Sequence, residues 1–262
     1  MHNFDFTKPS SIADAVKALS KPGAQALSGG QTLIPTLKSR LADADILVSL
    51  IGIAEMKGVC RNGDHLAIGG ATSHAQVAKD AAKDFPALAD LAGHIGDPAV
   101  RNRGTIGGSL ANNDPAACYP AAVLGTGAIV VTNKREIAAD DFFEGMFATA
   151  LEEGEIITGV NFPIPAKAAY VKFNQPASRF ALTGVFVSQG ANGVRVAITG
   201  ASESGVFRWK EAEAALTKDF SAKAIEALSL SADGMISDLH GTSAYRAHLA
   251  KVLTARAVAS AK

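Results

Sequence analysis

The chain has 262 residues, of which 48% are hydrophobic, and its 25 Lys and Arg residues equal its 25 Asp and Glu residues in number. This length and composition are normal for a globular protein with one large or two small domains. Because the charges balance and no apolar run approaches the roughly 18 residues of a membrane span, we expect no nucleic-acid partner and no transmembrane segment.

The first fifty residues predict a compact β-α-β start. Residues 1–5 lack the basic and apolar stretches of a secretion signal, so we expect a cytoplasmic protein. Ser10 or Ser11 is a candidate N-cap for a helix that ends at the cluster Lys21-Pro22-Gly23. A strand over 24–27, a helix over about 33–40 and a buried strand over 46–51 are expected to follow.

The rest of the chain predicts a second group of strands and helices, then a small sheet. We expect strands over 66–68 and 128–132 and a helix over 76–93 that is interrupted before Pro86. Pro163-Ile-Pro165 marks the best boundary, which divides the chain into 1–165, with parts of about 1–52 and 53–165, and 166–262. The second domain is expected to hold antiparallel strands and a terminal helix. Its predicted strands cover 170–173, 185–189 and 194–199, the last two joined by a hairpin across 190–193, and the helix carries Tyr245, Leu249, Val252 and Leu253.

The sequence shows no pattern typical of a metal site. The two cysteines, Cys60 and Cys118, are too few for an iron–sulfur cluster, which needs about four thiolates or histidine substitutes. The six histidines show no metal-ligand spacing. We therefore expect no bound metal, and any cluster that serves this chain must lie on a partner.

Two glycine-rich loops carry the strongest chemical signal. They are Ser28-Gly-Gly-Gln-Thr32 and Gly104-Thr-Ile-Gly-Gly-Ser109, and each can bring bare backbone N–H groups close to anionic oxygens. No P-loop sequence occurs, and Gly125-Thr-Gly127 precedes an apolar run instead of following a strand, which excludes a standard dinucleotide fold. Gly69-Gly70 is a third pair and shows that such pairs also occur in ordinary turns. Together, the two loops predict a nucleotide cofactor.

The segment 27–38 resembles the first FAD loop of the medium, flavin-binding subunit of molybdenum hydroxylases, the family of carbon monoxide dehydrogenase and xanthine dehydrogenase. Segment 101–115 resembles the second loop, and the likeness continues through 140–143, 154–157 and 170–172 over nearly the whole chain. The resemblance implies an α+β fold. It consists of a two-part FAD-binding domain of the PCMH/vanillyl-alcohol-oxidase-like type, followed by a small antiparallel sheet with helices of the CO dehydrogenase flavoprotein type.

The same resemblance assigns residues to the FAD site. The first loop would wrap the diphosphate and the second would close on it from the other side, while two isoleucines would form apolar walls and Lys172 would contact the cofactor. The alternatives are that Ile95 is an ordinary core residue and that Lys172 is a solvated lysine on an edge strand. The full set is Ser28, Gly29, Gly30, Gln31, Thr32, Leu33, Ile95, Thr105, Ile106, Gly107, Gly108, Ser109, Cys118, Ile157, Lys172 and Phe180.

Two positions depart from the family pattern. Cys118 stands where relatives typically place a carboxylate that binds the sugar-like part of the flavin, so we expect weaker FAD binding. A small buried thiol is its favoured reading, ahead of a covalent cysteinyl-flavin. Phe180 falls where an aromatic residue, often tyrosine, lies beside the isoalloxazine, and phenylalanine can stack there but cannot donate a hydrogen bond.

Other residues in these segments receive no chemistry. Asp114-Pro115 is interpreted as a turn, and Trp209 as a packing or interface residue. Arg101 and Arg103 could face the cofactor phosphates, an iron–sulfur partner or solvent.

The family resemblance implies an electron outlet. Electrons from a molybdenum-cofactor site on a large subunit would pass through [2Fe–2S] clusters on a small subunit to the FAD of this chain, and on to an external acceptor, in a dimer of heterotrimers. A flavin subunit of this kind needs no catalytic acid, base or nucleophile of its own. A self-contained flavin oxidoreductase and a structural subunit that has lost its flavin are the alternatives. The reducing substrate and the electron acceptor stay open.

Overall fold

The computed structural model describes residues 1–191 and 193–262. Its helices are α1 Ile12–Leu19, α2 Leu33–Lys38, α3 His74–Asp80, α4 Pro86–Gly93, α5 Pro98–Arg101, α6 Ile106–Asn112, α7 Tyr119–Thr126, α8 Ala139–Phe142, α9 Lys210–Lys218 and α10 Ser243–Ser260. Its strands are β1 Asp5–Thr7, β2 Ala24–Leu27, β3 Ile46–Ser49, β4 Val59–Asn62, β5 His65–Gly69, β6 Ile129–Thr132, β7 Glu136–Ala138, β8 Phe143–Gly145, β9 Ala148–Thr149, β10 Ile157–Pro163, β11 Lys167–Asn174, β12 Ala181–Gly190, β13 Gly193–Thr199 and β14 Phe207–Arg208. No helix within the described ranges is long and apolar enough to cross a membrane.

The amino-terminal part is a three-stranded parallel sheet in the order β1-β3-β2. Ser11 caps α1, since its Oγ accepts a hydrogen bond from the Asp14 N–H at 3.1 Å. Leu47 and Val48 are fully buried and belong to different clusters, one with α2 and one with α1, because successive side chains of a strand point to opposite faces. The predicted β-α-β start is confirmed. Strand β1 was not predicted, because it is short and mostly exposed and carries no apolar pattern.

The central part is a five-stranded antiparallel sheet in the order β4-β5-β10-β6-β7. The predicted break before Pro86 is confirmed, because α3 ends at Asp80 and Pro86 begins α4. Strand β10 lies in the middle of the sheet and pairs with both β5 and β6. Strand β10 was not predicted, because Gly159 and Pro163 interrupt its apolar pattern.

The carboxy-terminal part is an antiparallel sheet in the order β11-β12-β13-β14, and α10 lies against β11 and β12. The hairpin is confirmed by the pairing of Gly190 with Gly193, although Asn192 in its turn lies outside the described residues. Trp209 immediately precedes α9 and is buried, so it is a packing residue. Tyr245 was expected on the packed face of the terminal helix, but it is 40% exposed. Its neighbour Arg246 is buried instead, where Nη1 donates to the carbonyls of residues 182 and 200.

Helix α7 joins the central part to the carboxy-terminal sheet. Gly125 lies so close to Phe186 of β12 that a Cβ would be 3.0 Å from the ring. Gly127 caps the end of the same helix with a φ of +67°, so the stretch 125–127 is a helix terminus and not a dinucleotide turn. Asp140 of α8 adds a charged link, because it pairs with Arg195 of β13 at 2.7 Å. The boundary proposed at residue 165 falls in the short connection between β10 and β11.

Candidate functional site

A cavity of about 600 Å³ opens where the three parts of the fold meet. Its wall contains both glycine-rich loops, the segment between α4 and α5, the start of α7, and the connection between β11 and β12. All the residues predicted for the site line this cavity except Ile106. Residues far apart in sequence, such as Gln31, Ile95 and Phe180, are therefore brought together as predicted.

The two glycine-rich loops touch each other directly. A Cβ on Gly29 would lie 2.2 Å from the Arg103 carbonyl oxygen and 2.6 Å from the Gly104 Cα, so only glycine fits at position 29. The hydroxyls of Ser28 and Thr105 are hydrogen-bonded at 2.7 Å across the same junction. The hydroxyl residues that flank the glycines thus hold one loop against the other.

The first loop presents free backbone donors. No oxygen of the described residues accepts a hydrogen bond from the backbone N–H groups of residues 29–33, all of which line the cavity. Gly30 has a φ of +70°, a left-handed conformation that most side chains disfavour. The Gln31 side chain donates from Nε2 to the Gly29 carbonyl at 3.1 Å, which braces the turn. Consecutive free N–H groups around such a turn form a concavity suited to an anion.

The second loop has a different role from the one its glycines suggested. Most of its N–H groups are already used within the chain, since Ile106 donates to the Thr72 carbonyl, Gly107 to the Gly70 carbonyl, and Gly108 to Thr105 Oγ1. The Ile106 side chain is fully buried in the core of the central part. Ile106 therefore does not line the cavity, because its side chain and its N–H both serve the packing behind it.

A third glycine pair, Gly69-Gly70, contributes to the site, although from its sequence it resembles the pairs of ordinary turns. Gly70 lines the cavity, and a Cβ on it would lie 2.1 Å from the Ile157 carbonyl oxygen. Gly107 also packs too closely for a side chain, because a Cβ on it would lie 2.6 Å from the Gly70 oxygen. These positions need glycine because three backbone segments approach one another closely here. No local sequence pattern distinguishes such a glycine pair from one in an ordinary turn.

His74 is a second lining residue that the sequence did not reveal. It is 5% exposed, its Nδ1 has no hydrogen-bond partner in the described part of the chain, and its ring lies 5.3 Å from that of Tyr119. Burial, with a smaller contribution from the Arg101 charge, lowers the pKa of His74 to about 4. The imidazole is therefore neutral near pH 7. A Cβ on Gly104 would lie 2.5 Å from Nε2, which explains a glycine at the start of the second loop.

Lys172 ties together three segments of the cavity wall. Its Nζ donates to the His94 carbonyl at 2.7 Å and to the Arg179 carbonyl at 2.9 Å, and it lies 3.6 Å from Cys118 Sγ. The alternative of a freely solvated edge lysine is therefore excluded. Cys118 is buried at 5% exposure, whereas Phe180 at the mouth of the cavity is 52% exposed.

The remaining questions about nearby residues are settled by their contacts. Asp114 forms the predicted turn, because its Oδ1 accepts from the Ala116 N–H at 2.8 Å. Arg101 donates from Nη1 to the carbonyls of Ile95 and Gly96, so it supports the cavity wall from behind. Arg103 is exposed.

Comparisons with known proteins agree with this arrangement. Residues 2–165 match the family described as the FAD binding domain in molybdopterin dehydrogenase. The chain is 34% identical to the carbon monoxide dehydrogenase medium chain of Afipia carboxidovorans, over 99% of this chain and 97% of that protein. It is 33% identical to the nicotine 6-hydroxylase medium subunit of Paenarthrobacter nicotinovorans, over 98% and 96% respectively.

The fold is also similar to a solved structure. Quinoline 2-oxidoreductase from Pseudomonas putida 86 superposes with a TM-score of 0.88 at 30% identity, over 98% of this chain and 96% of that chain. The predicted α+β fold class, FAD as the cofactor and an oxidoreductase component are thereby confirmed. The chain belongs to the family of FAD-binding medium subunits of the molybdenum hydroxylases.

Proposed function

We propose that this chain is the electron-transfer subunit of a molybdenum hydroxylase complex and holds its FAD in the cavity between the two glycine-rich loops. The observation that carries the proposal is the first loop, whose residues 29–33 line the cavity and whose N–H groups have no partner in the described chain. A row of backbone N–H groups without a protein partner, at a left-handed turn that leads into a helix, can bind an anion. The diphosphate of FAD has the charge and the oxygens to accept these bonds.

The residues present fit the cofactor. About 600 Å³ is within the range of ligand cavities, and the wall is mainly apolar with a few convergent polar groups, as in most cofactor sites. Gly29 packs against the second loop with no room for a Cβ, and Gly30 adopts a left-handed turn, so the first loop is shaped around backbone donors. The second loop supports the first through the hydrogen bond between Ser28 and Thr105. We infer that the diphosphate lies on the first loop.

The ring system of the cofactor would lie toward the carboxy-terminal sheet. Ile157 of β10 is 4% exposed, and with Ile95 it forms an apolar wall against which a flat ring can pack. Phe180 is an exposed aromatic at the mouth and can stack on the ring. Lys172 brings a positive charge to the same end, held in place by two carbonyl oxygens.

The residues of this chain would bind the cofactor, orient it and shield it from solvent. FAD, when bound, supplies a ring that takes up two electrons and releases them singly or in pairs. Burial lowers the pKa of His74 to about 4, so this lining imidazole carries no positive charge toward the diphosphate near pH 7 and is only a weak base. The site thus favours binding and electron transfer over acid–base catalysis.

Partners are proposed from the family. Relatives that match over nearly their whole length are named as a medium chain and a medium subunit, which implies further subunits in their complexes. For this chain we propose a large subunit with the molybdenum cofactor and a small subunit with [2Fe–2S] clusters, assembled as a dimer of heterotrimers in the cytoplasm. Electrons would enter from the small subunit and leave to oxygen, NAD, a quinone or another acceptor.

The test is isolation of the tagged chain from its native host under anaerobic, non-denaturing conditions. We expect two further polypeptides, molybdenum and iron in the preparation, and FAD in equal amount to the tagged chain. FAD on a chain that carries no partner would instead support a self-contained flavin oxidoreductase. Partners without FAD would support a structural subunit, and either result contradicts the proposal.

A further inference from the structure

A buried histidine at the cavity wall lacks hydrogen-bond partners. His74 lines the cavity and is 5% exposed. Its Nδ1 is buried, and neither ring nitrogen is hydrogen-bonded to another described residue. A neutral imidazole has one donor and one acceptor, and the large majority of buried polar side-chain atoms are hydrogen-bonded. This imidazole is therefore free to bind a group that enters the cavity.

The fold places the imidazole beside the junction of the two glycine-rich loops. The His74 N–H donates to the Gly104 carbonyl at 2.9 Å, which holds the start of α3 against the second loop. A Cβ on Gly104 would lie 2.5 Å from His74 Nε2, and a Cβ on Gly29 would lie 2.6 Å from the Gly104 Cα. The same glycine thus touches both the imidazole and the first loop. An anion bound by the first loop would lie close to Nε2.

The Tyr119 hydroxyl is the neighbouring group that can decide which nitrogen carries the proton. The Tyr119 ring lies 5.3 Å from the imidazole and is fully buried, and its hydroxyl has no hydrogen-bond partner in the described chain. Burial raises the pKa of Tyr119 well above its ordinary value, so the phenol keeps its proton and can donate it. When one imidazole nitrogen accepts a hydrogen bond, the other carries the proton.

We propose that His74 is a cofactor-binding residue whose Nε2 donates a hydrogen bond to an oxygen of the FAD diphosphate, while the Tyr119 hydroxyl keeps Nδ1 as an acceptor. This role rests on the proposed function, because it requires the diphosphate to lie on the first loop. It adds a side-chain donor from α3, a helix outside both glycine-rich loops. A hydrogen bond to a charged oxygen is stronger than one between neutral groups, so its loss should lower the affinity for FAD measurably.

The first experiment titrates FAD into the FAD-free full-length chain and compares variants at position 74. Glutamine supplies an amide N–H near the place of Nε2, whereas leucine fills similar space without a donor. We expect His74→Leu to raise the Kd for FAD about tenfold or more and His74→Gln to raise it less than about threefold. His248→Gln is the matched control and should leave Kd unchanged, because His248 is exposed on α10 and does not line the cavity.

Nitrogen NMR of isotope-labelled histidine separates a direct contact from a packing role. The chemical shifts of Nδ1 and Nε2 in a neutral imidazole identify the nitrogen that carries the proton, and the spectrum of His74→Gln assigns the His74 signals by their loss. We expect the proton on Nε2 and a shift of the Nε2 signal when FAD is added. In Tyr119→Phe the proton should redistribute between the two nitrogens, and Kd should rise less than in His74→Leu.

The possible results are distinguishable. If the original chain takes up no FAD, the proposed function itself fails. If the original chain binds FAD but folded His74→Leu binds it equally well, His74 is not a cofactor-binding residue and the proposed function stands. Equal losses of affinity in His74→Gln and His74→Leu would assign His74 a packing role and would also overturn the proposal. If His74→Leu does not fold, the NMR measurement still decides, because an Nε2 signal that FAD does not shift contradicts the contact.

Discussion

Replacing Gly29 with alanine should disrupt the cofactor site through the packing of the two loops. The new Cβ would start 2.2 Å from the Arg103 carbonyl oxygen, and an ordinary contact begins at 3.4 Å, so the loops must separate by about 1.2 Å. The hydrogen bond between Ser28 and Thr105, now 2.7 Å long, would then exceed hydrogen-bonding distance. The free donors of the first loop would move away from their present positions.

The expected loss of FAD affinity can be derived from the hydrogen bonds between the first loop and the diphosphate. A hydrogen bond to a charged group contributes about 1.5–3 kcal/mol, and losing one from a backbone N–H to the diphosphate raises Kd about 10- to 150-fold. Overpacking of this kind costs about 1–3 kcal/mol of stability, which leaves most domains folded. FAD titration of the apo-protein, followed by quenching of flavin fluorescence, measures Kd directly.

Gly93→Ala is the matched control for this substitution. A Cβ at position 93 meets no atom within 4 Å, and the residue lies at the end of α4 outside the cavity lining. We expect its FAD affinity to equal that of the original protein. The reasoning is refuted if Gly29→Ala is folded, as judged by a cooperative unfolding transition, and still binds FAD with unchanged Kd.

Three further predictions concern stability. Asp140→Asn weakens the ion pair to Arg195 between the central part and the carboxy-terminal sheet. The Asp140 side chain is about half exposed, so urea denaturation should show a loss of about 1 kcal/mol, while Asp141→Asn, next to it on the exposed surface, should lose almost none. Burial alone would raise the pKa of Glu155, but hydrogen bonds from Arg135, the Glu152 N–H and Thr132 outweigh it and lower this pKa from 4.5 to about 2. The free energy of unfolding should therefore decrease as the pH falls from 4.5 to about 2, by about 3 kcal/mol at most. Glu155→Gln should remove this pH-dependent contribution. The pKa of His74 is lowered from 6.5 to about 4 in the folded protein, so on acidification the unfolded chain binds this proton first. The free energy of unfolding should therefore decrease as the pH falls from 6.5 to about 4. A His74→Gln variant whose stability decreased just as steeply over this pH range would contradict the prediction.

Local sequence patterns were sufficient to predict the elements whose structure depends on neighbouring residues in the chain. The strand before the first loop, the Ser11 cap and the helix that begins at Pro86 depend on neighbouring residues, and they appear where predicted. Fifteen of the sixteen predicted site residues line the cavity because the family resemblance carried information about distant contacts that spacing alone does not contain.

Features that depend on tertiary packing could not be predicted. Gly70 serves the site because three backbone segments meet there, and His74 becomes a neutral lining residue only when the second loop covers it. The second loop looked like an anion-binding loop, yet the N–H groups of Ile106 and Gly107 are paired with carbonyls of residues 72 and 70. Whether a glycine-rich loop binds a ligand or supports a neighbour is decided by the segment that packs against it.

The visible absorption spectrum of the purified chain, recorded with and without added FAD and before and after dithionite, tests whether this cavity is the flavin site. We expect a flavin spectrum that bleaches on reduction, with one FAD per chain released on denaturation. A colourless chain that fails to take up added FAD would contradict the claim that this cavity is the flavin site.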